Sequence, residues 1–114
     1  MPYIVNGTSY DFPAPQLTDD TTFVPLDKVA NTVGCYVTWD NLAKVATVEL
    51  DELKYRVMED NPKVELPDGS MVELQAAPYV EDGSMWVPVR FFEKVLHCTI
   101  AVDGDNVQAQ RQFV

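Results

Sequence analysis

Short runs in which apolar and polar side chains alternate predict strands at residues 3–5, 9–12, 35–39, 45–50, 64–66, 71–74, 98–102 and 107–113. Successive side chains of a strand face opposite sides of its sheet, so a period of two marks a half-buried strand. Residues 53–58 alternate as well and predict one more strand. Asn6-Gly7 and Asp68-Gly69 each separate two such runs and predict hairpin turns whose central residues take positive φ. Polar stretches at 18–22 and 81–84 lead into Phe23-Val24 and Trp86-Val87. The period then becomes helical, at Leu26, Val29, Ala30 and Val33 and again at Val89, Phe92, Val95 and Leu96. Pro25 and Pro88 stand where these helices open, since proline at the first helical position gives up no needed hydrogen bond. Gly34 is placed to cap the first helix.

The whole pattern occurs twice. At an offset of 63 residues, Phe23-Val24-Pro25-Leu26 meets Trp86-Val87-Pro88-Val89, Cys35 meets Cys98, Val37 meets Ile100 and Asp40 meets Asp103. Ala14-Pro15 meets Ala77-Pro78 and Asp19 meets Asp82 at the same offset, and with a one-residue gap Asn6-Gly7-Thr8 falls on Asp68-Gly69-Ser70. One order at nearly one spacing is the mark of an internal duplication. The first copy spans residues 1–50, a join covers 51–62, and the second copy spans 63–114. Each copy reads as hairpin, short helix, hairpin. A single amphipathic helix cannot cover a sheet on both faces, so the expected fold class is α+β, with both repeats packed as one mainly antiparallel domain.

Composition narrows the function classes. Of 114 residues, 46% are hydrophobic and 23% charged, which suits a folded domain. The formal charge of −10 is spread over both halves. It disfavours direct binding to nucleic acid phosphates and to anionic membrane surfaces, and it leaves a basic protein partner, a cation or simple solubility open. A complex held by such charges is expected to weaken as salt rises. No apolar run reaches the length of a membrane span, and residues 1–12 do not read as a signal peptide. The expected location is therefore intracellular if Met1 is the native start.

Candidate chemistry is sparse. A copper or zinc site needs three or four nitrogen or sulfur ligands, and the chain offers one histidine, His97, beside Cys98, with Cys35 as the other thiol. Buried thiols are the expectation, a Cys35–Cys98 disulfide the alternative. His97 and Cys98 are sequence neighbours whose side chains diverge in a strand, which is unsuited to a nucleophile and its base. Acidic pairs such as Asp19-Asp20 and Glu81-Asp82 fall in turns, the glycines form no phosphate-cradling loop, and Asp103-Gly104-Asp105-Asn106 reads as a hairpin turn lacking the glutamate of a calcium loop. No catalytic residue, metal ligand or cofactor is expected. Phe91 and Arg90 lie beside Phe92 on a short helix, so at least one of them should face outward. With Arg90, Tyr79 and Arg56, an exposed Phe91 makes the candidate interaction patch, mixing aromatic and cationic groups as interfaces do.

Val5-Asn6-Gly7, Ala14-Pro15, Val24-Pro25-Leu26 and Trp39-Asp40 in the first copy, with Ala77-Pro78 and Val87-Pro88-Val89-Arg90-Phe91 in the second, resemble the copper amine oxidase N-terminal-like domain, or stalk domain. That family is common in Gram-positive bacterial proteins, often as tandem copies, and its members are often secreted or on the cell surface. The resemblance departs at Asp27 and Asn31, where the family has arginine and glutamate, at His97 in place of the glycine ending the helix, and at Val102 in place of tryptophan. It implies a non-catalytic interaction module that binds a protein partner or self-associates, a homodimer included. Copper chemistry belongs to a separate domain. The alternative is a small free-standing intracellular protein, phage-encoded for example, that inhibits a basic surface or sequesters a small molecule between the copies near Arg90 and Arg56.

Overall fold

The computed structural model describes residues 3–12, 15–18, 21–81, 83–103 and 106–110. In chain order they form β1 (Tyr3–Val5), β2 (Thr8–Tyr10), β3 (Gln16–Thr18), β4 (Thr21–Pro25), α1 (Leu26–Thr32), β5 (Tyr36–Asp40), β6 (Val45–Leu50) and β7 (Leu53–Met58). They continue with β8 (Lys63–Glu65), β9 (Met71–Glu73), β10 (Tyr79–Glu81), β11 (Ser84–Pro88), α2 (Arg90–Lys94), β12 (Thr99–Asp103) and β13 (Asn106–Gln110). Ala14, Asp19, Asp20, Asp82, Gly104, Asp105 and Phe113, which carry parts of the expected repeat, turns and last strand, lie outside the described residues.

The expected α+β class is overturned. The described residues are 54% strand and 12% helix, arranged in three sheets, and the fold is mostly β. Two physical reasons account for the shift. The stretches expected to be polar lead-ins pair as hairpins, β3 with β4 and β10 with β11. Thr21 and Thr22 are β-branched, and Thr21 is buried, so they behave as strand residues. The helices are also very short: α1 has 7 residues and α2 only 5. Pro25 and Pro88 end strands β4 and β11 and do not open helices.

The strands make three sheets, in the orders β12-β13-β1-β2, β10-β11-β4-β3 and β5-β6-β7-β8-β9. The first joins the C-terminal hairpin to the N-terminal one through the parallel pairing of β1 with β13. The last joins β5 and β6 to β8 and β9 through β7. The middle sheet joins β4 to β11 with Val24 opposite Val87. Every sheet therefore takes strands from both halves of the chain. Bounds of β3 and β10, β4 and β11, and β5 and β12 each differ by 63 residues.

The pleat explains which side chains enter the core. Across the five-stranded sheet, Trp39, Ala46, Val57, Val64 and Val72 stand in register as one apolar row, while Thr38, Thr47, Arg56 and Glu65 form the neighbouring polar row. The same alternation in β13 buries Val107 and Ala109 and exposes Gln108. Leu26, Val29, Ala30 and Val33 of the first helical segment are buried, as are Val89, Phe92, Val95 and Leu96 of the second.

Turn chemistry fixes the connections. Asn6 and Gly7 take φ of 50° and 82°, the pair of positive values that a two-residue hairpin requires. At Asp68-Gly69 only Gly69 is left-handed; the Gly69 N–H donates to Leu66 O, and the Asp68 carboxylate accepts from the Ser70 N–H and hydroxyl, which lowers its pKa. Helix α1 closes with Gly34 N–H on Asn31 O and Cys35 N–H on Ala30 O, around Gly34 at φ 98°. His97 takes the corresponding place with φ 58°, a conformation that suits glycine better.

Candidate functional site

The order of the sheets leaves β5 outermost in one and β10 outermost in another. Between these two edges lies a groove of about 390 Å³. Leu26, Val37, Ala46 and Met85 give it an apolar floor, Trp39 and Val80 stand at its walls, and Asp27, Lys44 and Glu59 bring charge to it. Trp39 is the edge member of the apolar row, and 42% of its surface stays exposed. One end of the groove is tied down: Glu59 N–H donates to Lys44 O at 3.0 Å, extending the β6–β7 pairing, and Asp60 N–H donates to Pro78 O at 2.9 Å, linking the two sheets. Lys44 donates its ammonium to Asn41 Oδ1 at 3.1 Å. Asp27 Oδ1 is buried with no hydrogen-bond partner, an arrangement that costs free energy unless something else satisfies it.

A smaller hollow of about 100 Å³ is lined by Thr21, Thr22, Gln75, Pro88, Val89, Arg90 and Val102. Five of these residues stand 63 positions from groove residues: Thr21 from Ser84, Thr22 from Met85, Val89 from Leu26, Arg90 from Asp27 and Val102 from Trp39. Exchange of tryptophan for valine and of aspartate for arginine makes the two places differ in depth and in sign of charge.

The candidate patch of Arg90, Phe91, Tyr79 and Arg56 is not brought together. Phe91 is fully buried, edge-on to Phe92 at a ring distance of 5.1 Å, so it adds no exposed ring to the patch. Both rings lie on the covered side of α2, and the outward positions are those of Arg90, Glu93 and Lys94. Arg90 is exposed and pairs with Glu93 at 3.2 Å on its own helix. Arg56 lies in the polar row of the five-stranded sheet, 3.6 Å from Glu65. The two arginines line separate hollows and frame no common site. Tyr79 packs against Phe23 at 4.9 Å and stacks with Trp86 at 6.4 Å, and its hydroxyl donates to Gln16. Burial, helped by the Glu81 carboxylate, pushes its phenol above the ordinary range.

Cys35 and Cys98 are both buried. Among the described residues, no three His, Cys, Asp or Glu side chains gather as metal ligands would, so the donor set around His97 does not fit a copper centre. No helix among the described residues is long and apolar enough to cross a membrane. The groove residues Asp27, Glu59, Val80 and Met85 were not legible as a site beforehand. One available signal was Asp27 itself, an acid placed among the apolar residues that open α1.

No curated protein matches the chain. The profile of the copper amine oxidase N-terminal domain matches residues 4–110, nearly all of it. In copper amine oxidases this domain is a non-catalytic part of the enzyme. The chain therefore belongs to the copper amine oxidase N-terminal domain family.

Proposed function

We propose that the protein is a stalk-type interaction module that presents its sheet edges to a protein partner or to a second copy of itself, and that it performs no catalysis. One observation supports this most. Of the seven large apolar residues exposed among the described ones, five lie on strands that are outermost in their sheets: Leu17 on β3, Tyr36 and Trp39 on β5, Met71 on β9 and Val80 on β10; Leu42 lies in the β5–β6 turn and Leu53 on the inner strand β7. Sheet edges normally carry charge or proline to prevent further pairing; exposed apolar side chains there suit a surface that is covered in use.

We also infer that the halves descend from one block copied in tandem. Equal offsets of paired elements and the Val24–Val87 juxtaposition favour this reading.

A photo-crosslinking amino acid placed at Leu17, Trp39 or Val80, against Thr47 and Lys54 on the polar side of β6 and β7, tests the function in the producing cell. Adducts to a protein from the edge positions and none from the controls are expected. Absence of protein adducts at every position would contradict it. The alternative, a protein that sequesters a small ligand, draws on the volume of the same groove and would be favoured if a small molecule copurified with the chain while no adduct formed.

A further inference from the structure

The edges differ in what lies beside them, and among the described residues β5 and β10 frame a groove lined by a carboxylate with one buried oxygen that makes no hydrogen bond. We propose that the groove between β5 and β10 receives an extended segment of a partner protein, which adds as a strand and places a lysine or arginine side chain against Asp27. The inference rests on the interaction-module reading and names its site and partner chemistry.

Three independent features converge. β5 and β10 are both outermost strands, so each offers backbone groups free of a ladder partner, the basis of strand addition. The groove floor is apolar through Leu26, Val37, Ala46 and Met85, which suits the alternate side chains of an extended segment. Charge then selects the occupant. Asp27 and Glu59 outnumber Lys44 in the lining, and Lys44 is turned to Asn41. Asp27 Oδ1, buried and without a hydrogen-bond partner, would be satisfied by a cationic donor and opposed by an anionic one. Trp39 at the wall can cover the methylene stem of the incoming cation and meet its charge with its ring face. The smaller hollow beside Arg90 has neither the carboxylate nor the tryptophan, so it is not a second copy of the site.

The test uses the whole chain, immobilised, and three pools of capped octapeptides with random flanks. One pool carries lysine or arginine at a central position, one aspartate or glutamate, and one norleucine. The cationic pool should be retained about tenfold more than either other pool. Asp27→Asn should abolish that preference, and Trp39→Ala should lower retention of every pool, while Met71→Ala on the far edge changes neither. Asp27→Asn should unfold at no lower temperature than the parent, since Asp27 Oδ1 has no hydrogen bond to lose; this separates lost recognition from lost folding. Equal retention of the pools, preference for the anionic pool, a preference that survives Asp27→Asn, or no retention would overturn the proposal. Retention that is insensitive to Asp27 but sensitive to Leu17→Lys would move binding to another edge and leave the interaction module standing.

Discussion

Val24 and Val87 face each other directly across the pairing of β4 with β11, and both are completely buried. On either side of them Phe23 meets Pro88 and Pro25 meets Trp86, so residues 63 apart in the chain exchange places about this point. The hydroxyl of Tyr79 donates to Gln16, another pair with that separation. The seam between the halves is thus part of the core, and substitutions there should act on one shared site. Val24→Ala and Val87→Ala should each cost about 2 kcal/mol from lost burial and an unfilled cavity. The double variant should depart from the sum by about 0.5 kcal/mol or more, because residues in contact share their relaxation. Urea unfolding of the four proteins measures this; strict additivity would argue against a shared seam.

Because every sheet draws on both halves of the chain, neither half should fold alone. Fragments 1–52 and 53–114 should each give narrow amide proton dispersion by NMR, and an equimolar mixture should recover the dispersed spectrum of the parent. A dispersed spectrum from either fragment by itself would contradict the interlocked arrangement.

His97 holds φ 58° where Gly34 holds 98° at the end of the other helix. Relief of that conformation predicts that His97→Gly raises stability by about 1 kcal/mol, while Gly34→Ala lowers it by a similar amount. Both are read as shifts of the urea midpoint at constant slope.

Much of the sheet architecture was legible because alternation survives in strands with one buried face. Val45–Leu50 and Leu53–Met58 stand where the alternation places them. The hairpins β3–β4 and β10–β11 were not legible, since Thr18 to Thr22 is polar throughout and the burial of Thr21 comes from the pairing of sheets, not from its hydropathy. Pro25 and Pro88 are compatible with a strand end as well as a helix start, and the fold uses the former. Phe91 misled for a related reason: in a helix of 5 residues both Phe91 and Phe92 fit on the buried side, and the outward positions go to Arg90, Glu93 and Lys94. The groove is invisible in the sequence because Trp39 and Val80 meet only through the placement of two sheets.

Alkaline pH should destabilise the fold through Tyr3. Its side chain is fully buried, and burial raises its phenol well above the ordinary value of 10.0. The neutral, protonated form is the one folded burial tolerates, so its contribution is complete below about pH 10 and declines as pH rises toward the folded-state value. Tyr55 and Tyr79 are shifted in the same direction by burial. Thermal midpoints should fall with rising pH above about 10, and Tyr3→Phe should make that fall shallower; an unchanged slope would remove Tyr3 as a contributor.

Recognition through the β5–β10 groove is tested most directly by the emission of Trp39. Trp86 is buried with its indole N–H unpartnered, and phenylalanine stands 63 residues earlier at Phe23, so Trp86→Phe should fold and leave Trp39 as the single indole. Titrating this variant with the retained cationic peptides should give a saturable blue shift as the exposed ring is covered. Binding that leaves the Trp39 emission unchanged would contradict recognition at this groove.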